Sequence, residues 1–207
     1  MSGVVYYMNM KLFAASAALL MTCTAFGADS ISGNTYGSPK APIMMEVFSD
    51  FQCPGCKSFH DEEMPLLMKD FVDSGKVYII YRYFPLDMHP YGRKAADFVC
   101  AAAHLGKYHD ASNLLFAQQN LWGQSGKVEE TLDNLFTAGQ QKELHELASS
   151  PTCQAEIKHD IDEGKAIPVT GTPFLMITHR LHRYPIGGAE PLNYQLLKPV
   201  LDGLLTK

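Results

Sequence analysis

Two nearly continuous apolar runs, Pro42-Ile-Met-Met-Glu-Val-Phe48 and Val77-Tyr-Ile-Ile-Tyr-Arg-Tyr-Phe84, read as central strands covered on both faces. A strand with one face in water would alternate apolar and polar residues instead. Between the two runs, Met64, Leu67, Met68 and Phe71 recur at helical spacing within a stretch from Lys57 to Asp73. The opening unit is therefore predicted as strand, helix, strand, with a kink at Pro65. After Pro85 the pattern turns helical for about eighty residues. Ala95, Phe98, Val99 and Ala102 share one helix face, and Leu132, Leu135 and Phe136 repeat the spacing beyond a break at Gly123-Gln-Ser-Gly126. Ser150-Pro151 supplies an N-cap and a first-turn proline for a helix to about Lys165. Strand character returns at Phe174-Leu-Met-Ile-Thr178, followed by a turn or hairpin from His179 to Gly188 and a final helix from Pro191 to Leu205. Only the stretch from Ser30 to Lys40 reads as linker, and no repeat or low-complexity tract interrupts the chain.

Residues 53 to 56 read Cys-Pro-Gly-Cys, directly after the first strand run and directly before the first helix. Placed there, Cys53 meets the unpaired N–H groups and the positive dipole end of the helix, which favour thiolate over thiol. Cys56 lies one turn further in, within reach for a disulfide. This context marks a disulfide-exchange site. A structural zinc site needs four ligands, and neither a second Cys-x-x-Cys nor a His pair at ligand spacing accompanies this one. The eight histidines form no other metal cluster, so no metal and no cofactor is expected. His60 reads as a solvent-facing helix residue, His179 and His182 as surface residues in a polar turn, and Trp122 as packing within the helical region.

The chain contains five cysteines. Cys23 falls inside an N-terminal segment patterned as a signal peptide: Lys11, the apolar run Leu12 to Met21, then small residues to Ala28. Cleavage near Gly27 or Ala28 would export the chain with an even number of cysteines. Acylation at Cys23 is the alternative, though Thr22 is a poor match for the small residue expected before it. Once outside the cytosol, Cys100 and Cys153 are expected to pair as a second disulfide rather than remain two buried thiols. With 46% apolar and 19% charged residues the chain is ordinary globular material. Its net charge of −5 argues against nucleic acid or anionic membrane as a partner.

The element order predicts an α/β protein with a thioredoxin fold, βαβ then ββα, interrupted by an all-helical insertion. On that reading, residues 1–28 are the signal peptide, 29–86 the first half with the cysteine pair, 87–166 the insertion, and 167–207 the second half. The second half opens with Val169-Thr-Gly-Thr-Pro173, where a proline at the start of a strand is a place for a cis bond.

Several separated stretches now resemble one family in the right order: Gly37-Ser-Pro-Lys-Ala-Pro-Ile-Met-Met-Glu-Val-Phe-Ser-Asp-Phe-Gln-Cys-Pro-Gly-Cys56, Tyr83-Phe-Pro-Leu-Asp-Met-His-Pro90, Gly106-Lys-Tyr-His-Asp110 with Leu115-Phe-Ala-Gln118, and Val169-Thr-Gly-Thr-Pro-Phe174. The chain resembles the DsbA-like thiol:disulfide oxidoreductases of the bacterial cell envelope. That resemblance implies catalysis by Cys53 and Cys56 within the Cys53-Pro54-Gly55-Cys56 motif, with a cis Pro173 and Thr172 beside them. It also implies a periplasmic or envelope oxidase working on unfolded or reduced proteins, with a quinone-coupled, DsbB-like membrane reoxidase or a reductase as its redox partner. The short segment from Asp29 to Pro39 leaves no room for a dimerisation domain, so a monomer is expected. A disulfide isomerase or reductase of the same fold is the alternative. More remote is a copper-handling module using Cys53, Cys56 and Met44 or Met45.

Two positions depart from the family. Gly55 stands where the best-known members have a histidine that hydrogen-bonds the thiolate, so Cys53 is expected below the free value of about 8.5 but short of the extreme. Val47 stands where a buried acid usually lies beneath the pair. Glu46 should face the other side of the strand and Asp50 lies past its end, which leaves open which carboxylate, if any, serves Cys56.

Overall fold

In a computed structural model, residues 33–167, 169–187 and 192–206 are described. The expected signal segment, with Cys23 and the cleavage site, lies outside them, as do Pro168 and Pro191.

Strand β2 (Ile43–Ser49) is the axis of the molecule. It pairs in parallel with β3 (Val77–Tyr83), Ile43 opposite Val77 through Ser49 opposite Tyr83, and antiparallel with β4 (Phe174–His179), Phe48 opposite Phe174. The β5 strand (His182–Gly187) extends β4 as a hairpin, and the two-residue β1 (Thr35–Tyr36) closes the other edge against β3, giving the order β1-β3-β2-β4-β5. In β2 every residue but Met44 is buried, which is why its sequence shows no alternation. By contrast β3 alternates: Val77, Ile79, Tyr81 and Tyr83 are buried while Tyr78, Ile80 and Arg82 are half-covered. The stretch read as linker holds β1, anchored by the Asn34 side-chain amide on Tyr81 O (2.7 Å) and by Tyr81 N–H on Asn34 O (2.9 Å). Two residues are too few for a period to appear.

The first helix begins as α1 (Pro54–Ser58), widens into a π turn (Phe59–Glu63), resumes as α2 (Met64–Leu67) and widens again (Met68–Val72). Pro65 has no N–H to give, and the wide turn before it, with Met64 N–H on Phe59 O, absorbs the irregularity. Six helices separate β3 from β4: α3 (Gly92–His104), α4 (Tyr108–Ala117), α5 (Gln119–Ser125), α6 (Val128–Asp133), α7 (Ala138–Ala148) and α8 (Pro151–Ala166). The expected break falls at Gly126 alone, at φ 73°, and α5 runs straight through Gly123. Leu135 and Phe136 lie past the end of α6, because Thr137 starts a new helix with a capping box shared with Gln140. Ser150 caps α8 as its sequence suggests, accepting from Cys153 N–H at 3.3 Å. The final helix, α9 (Tyr194–Leu205), is capped by Asn193 and starts later than expected.

Both sheet faces are packed. On one, Met45, Val47, Tyr81 and Tyr83 join a core with Phe59, Phe71, Phe116 and Trp122. On the other, Phe48, Phe84, Phe174 and Met176 form a smaller cluster. It is pressed by α8 at Gly164, where a Cβ would come within 2.5 Å of the Phe84 ring. Beside that cluster Arg82 donates to Glu46 Oε1 (2.8 and 3.0 Å) and to Asp160 Oδ1 (3.1 Å), while Arg183 donates to Glu46 Oε2 (3.2 Å). Burial pushes Asp160 up to about 6 even with Arg82 and the Tyr83 N–H bonded to it. Cys100 of α3 and Cys153 of α8 are joined by a disulfide (S–S 2.17 Å) that ties the first helix of the insertion to the last.

Candidate functional site

The cysteine pair sits where β2 ends. Cys53 occupies the N-cap of α1 in extended conformation (φ −74°, ψ 123°), followed by Pro54 at the first helical position. A turn closed by Cys53 N–H on Asp50 O (3.0 Å) delivers it there. The Thr172–Pro173 peptide bond is cis, and the Cys53 thiol donates to Thr172 O at 3.2 Å. Gly55 is fitted under this segment: a Cβ would meet Pro173 Cδ at 3.3 Å and Cys53 Sγ at 3.7 Å. Cys53 is 8% exposed and Cys56 2%, whereas Pro54 and Gly55 are open to solvent. Neither cysteine is in a disulfide: the pair is reduced.

The two sulfurs are tuned in opposite directions. Cys53 is lowered to about 5, chiefly by the hydrogen bond from the Cys56 thiol. The Thr172 hydroxyl and the N–H groups of Cys56 and Gly55 add to this and outweigh burial. The Thr172 hydroxyl is buried without a partner beside the neutral thiol, and ionisation of Cys53 gives it one. At Cys56, burial and the neighbouring Cys53 push the thiol well up, against weaker help from Ser49 and Thr172. The lowering of Cys53 thus comes without a side chain at position 55: the N–H groups at the helix start are the donors expected from the sequence, and the Cys56 thiol and the Thr172 hydroxyl are additional.

Neither Glu46 nor Asp50 has a carboxylate bonded to Cys56. Val47 lies beneath the pair, and the Glu46 oxygens are held by Arg82 and Arg183 on the opposite face. Asp50 is fully engaged: Oδ1 accepts from Gln52 N–H (2.8 Å), and Oδ2 from Leu86 N–H (2.8 Å) and His89 Nδ1 (2.6 Å). Its own N–H donates to Cys56 Sγ at 3.4 Å. Where the resemblance places an acid stands Val47, and the strand beside it carries tyrosines. Tyr81, which pairs with Val47, and its neighbours Tyr83 and Tyr108 have buried hydroxyls with no bonded partner.

Two glutamines clamp the turn to the insertion. Gln119 Nε2 donates to Phe51 O (2.8 Å) and Cys53 O (3.0 Å), and Gln52 bridges Gly123 O (2.8 Å) and Tyr91 N–H (2.7 Å). Gln52 lies within a stretch that carries the resemblance, but nothing in the sequence shows the contacts that the fold gives it and Gln119. His60 is not solvent-facing: its ring stacks on Phe116 at 4.6 Å, Nε2 lies 3.0 Å from Asn113 Oδ1, and burial lowers its pKa. His179 is buried at the end of β4 rather than displayed on a turn, while His182 is exposed. Trp122 is core, its Nε1–H on Leu115 O at 2.7 Å. Met45, four residues before Ser49 on an extended strand, stands roughly 13 Å back from the dithiol end. Two groups with ligand-like spacing occur among the described residues, Cys100-His104-Cys153 and His159-Asp160-Glu163. In the first both sulfurs are in the disulfide, and in the second Asp160 is held by Arg82.

A cysteine pair at the start of the helix after a central strand, facing a cis-proline across the sheet end, with helices inserted between the sheet's halves, defines a thioredoxin fold of the DsbA kind. The chain belongs to the thioredoxin family, whose model, described as "Thioredoxin", matches residues 29–202. The crystal structure of alpha-DsbA1 from Wolbachia pipientis is similar at a TM-score of 0.69 and 23% identity, covering 84% of this chain and 90% of that one. A "Probable disulfide bond formation protein D" of Bacillus anthracis is 23% identical over 83% of this chain and 77% of its own length. A "Na(+)/H(+) antiporter NhaA 3" of Salinispora tropica is 28% identical over 72% of this chain, and the chain matches only 22% of that protein's length.

Proposed function

We propose that this protein is an exported thiol:disulfide oxidoreductase that acts mainly as an oxidase of reduced envelope proteins. The observation that carries the reading is the asymmetric pair: a Cys53 thiol lowered to about 5 and facing the cis Pro173 segment, and a Cys56 thiol enclosed behind it. In the oxidised form a substrate thiolate attacks Cys53 Sγ, Cys56 leaves with its electrons and takes a proton, and a mixed disulfide to Cys53 forms. A second substrate thiolate then attacks its own mixed-disulfide sulfur and expels Cys53, which leaves readily because its thiolate is stabilised. Thr172 offers backbone groups for an extended substrate strand; Pro173 offers no donor.

The even count of cysteines after the expected cleavage, and the Cys100–Cys153 disulfide, support an oxidising location in the periplasm or envelope. Among the described residues no helix is long and apolar enough to cross a membrane. The working form is a monomer, reoxidised by a membrane partner of the DsbB kind. The test mixes oxidised protein with a reduced unfolded substrate and, separately, with a scrambled one. Fast oxidation of the first with little rescue of the second is expected. Efficient unscrambling by a stable dimer or trimer, with poor oxidation, would overturn the oxidase reading in favour of an isomerase.

A further inference from the structure

Asp50 is the most heavily bonded polar group near the pair, and the exchange steps above give it no task. Its carboxylate is buried and receives three donors from two segments: the turn that carries the cysteines (Gln52 N–H) and the loop after β3 (Leu86 N–H and the His89 ring). A third element presses on it. Gly92, the first residue of the thirteen-residue helix α3, lies so close that a Cβ there would stand 2.6 Å from Asp50 Oδ1. The carboxylate thus also sits at the positive end of α3. Both oxygens accept bonds from other groups, and neither is bonded to Cys56. What it presents to the sulfur is its backbone N–H, 3.4 Å from Cys56 Sγ.

We propose that Asp50 is a positioning residue for the resolving step: the His89, Gln52, Leu86 and Gly92 contacts fix its backbone so that its N–H stabilises Cys56 as the thiolate. The inference rests on the exchange chemistry proposed above. In that chemistry the reduced protein is reoxidised in two steps. The Cys53 thiolate attacks a disulfide, forms a mixed disulfide and releases one thiolate. Cys56 then loses its proton to solvent, attacks Cys53 Sγ, closes the Cys53–Cys56 bond and expels the second thiolate. The two cysteines lose two electrons and the external disulfide gains them. Only the second step places charge on Cys56, and its enclosure makes that charge hard to form without a fixed donor.

The probe is glutathione disulfide, whose reaction with a reduced dithiol does not depend on any protein substrate. A failure of the oxidase reading would therefore show with protein substrates and leave this assay intact. Rapid acid quench and mass analysis give the rate at which the glutathionylated intermediate forms and the rate at which it resolves. Asp50→Asn, His89→Ala and Gly92→Ala each disturb the carboxylate differently: by its charge, by one donor, or by crowding. The ratio of resolution to formation should fall about tenfold in Asp50→Asn, the effect of one lost hydrogen bond to a charged sulfur. It should fall in the same direction in the other two, with the intermediate accumulating. His89→Ala leaves both backbone donors satisfied, so it decides the matter if Asp50→Asn does not fold. A ratio unchanged within twofold in the folded variants, or an equal slowing of both steps, overturns the proposal.

Discussion

Reduction should make the stability of this protein depend on pH in a way that oxidation abolishes. In the native reduced state Cys53 is lowered to about 5, whereas in the unfolded chain it returns to about 8.5. A thiol whose folded pKa is depressed contributes stability that is complete above its unfolded value and is lost as pH falls through the folded value. The window is therefore from about 8.5 down to 5. Over those 3.5 units, at about 1.4 kcal/mol per unit, the ceiling is about 5 kcal/mol. Cys53 itself is buried, but its neighbours Pro54 and Gly55 are open to solvent, and screening there brings the expected contribution to about 2 kcal/mol. Cys56 is shifted the other way: its thiol stays protonated in the native state but is half ionised in the unfolded chain at about pH 8.5, so it takes back about 0.4 kcal/mol at the top of the window and almost nothing below about pH 7.5. Asp160, raised to about 6, titrates in both redox forms and cancels in their difference. The assay is denaturant unfolding of the reduced and the oxidised protein at half-unit steps between pH 5 and 8.5, with Cys100–Cys153 intact in both. The stability of the reduced form relative to the oxidised should climb with pH by about 2 kcal/mol, equivalent to about 40 mV in favour of a more oxidising couple. A difference flat to within a few tenths of a kcal/mol, or falling with pH, refutes the stabilised thiolate and the oxidase argument built on it.

Three further outcomes follow from the packing. Arg82→Met leaves Glu46 and Asp160 buried with too few donors, and should cost about 3–5 kcal/mol in chemical denaturation; a loss under 1 kcal/mol would mean that solvent already shares those carboxylates. Replacing Cys100 and Cys153 together by Ala should lower stability by up to about 4 kcal/mol, from a closed loop with a sequence separation of 53, while the potential of the Cys53–Cys56 pair stays put; a shifted potential would show that the insertion's disulfide reaches the site. Gly164→Ala drives a methyl against the Phe84 and Phe48 rings and should cost about 1–3 kcal/mol, read as a lowered melting temperature, whereas a neutral result would mean that α8 slides freely.

What the sequence made legible was whatever is local or strongly periodic. The Cys53-x-x-Cys56 pair announces itself through a strand before it and a helix after it, and β2 and β3 announce themselves as apolar runs. The features that escaped are those made by distant residues meeting. Asp50 and His89 are 39 positions apart, and Gln119 reaches Cys53 O across 66, so neither contact leaves a pattern in a sliding window. Helix ends were misplaced where a cap outcompetes periodicity: Leu135 and Phe136 keep helical spacing, yet Thr137 and Gln140 offer the backbone a better start three residues on. His179 looked like turn chemistry because it adjoins Arg180 and Leu181, but β4 runs one residue further than its apolar core and carries the imidazole inward.

The division of labour between the sheet's two faces explains why a helical insertion is worth carrying at all. On the Glu46 and Arg82 face, charge is buried and paired, which fixes strand register but puts no group near the sulfurs. On the Val47 and Tyr81 face, no acid among the described residues is bonded to the cysteines, so the Cys53 thiolate is governed by the Cys56 thiol, by Thr172 and by N–H groups at the start of α1, and Cys56 by the N–H of Asp50. Donors on a turn are useful only if the turn cannot move, and a turn at a strand end is the least restrained backbone in such a fold. The inserted helices supply that restraint through Gln119, Gly123 and Gly92, with the loop at Leu86, His89 and Tyr91 leading into them. In this protein the insertion is therefore part of the redox site, because it holds still the dipoles that set the balance between the two sulfurs.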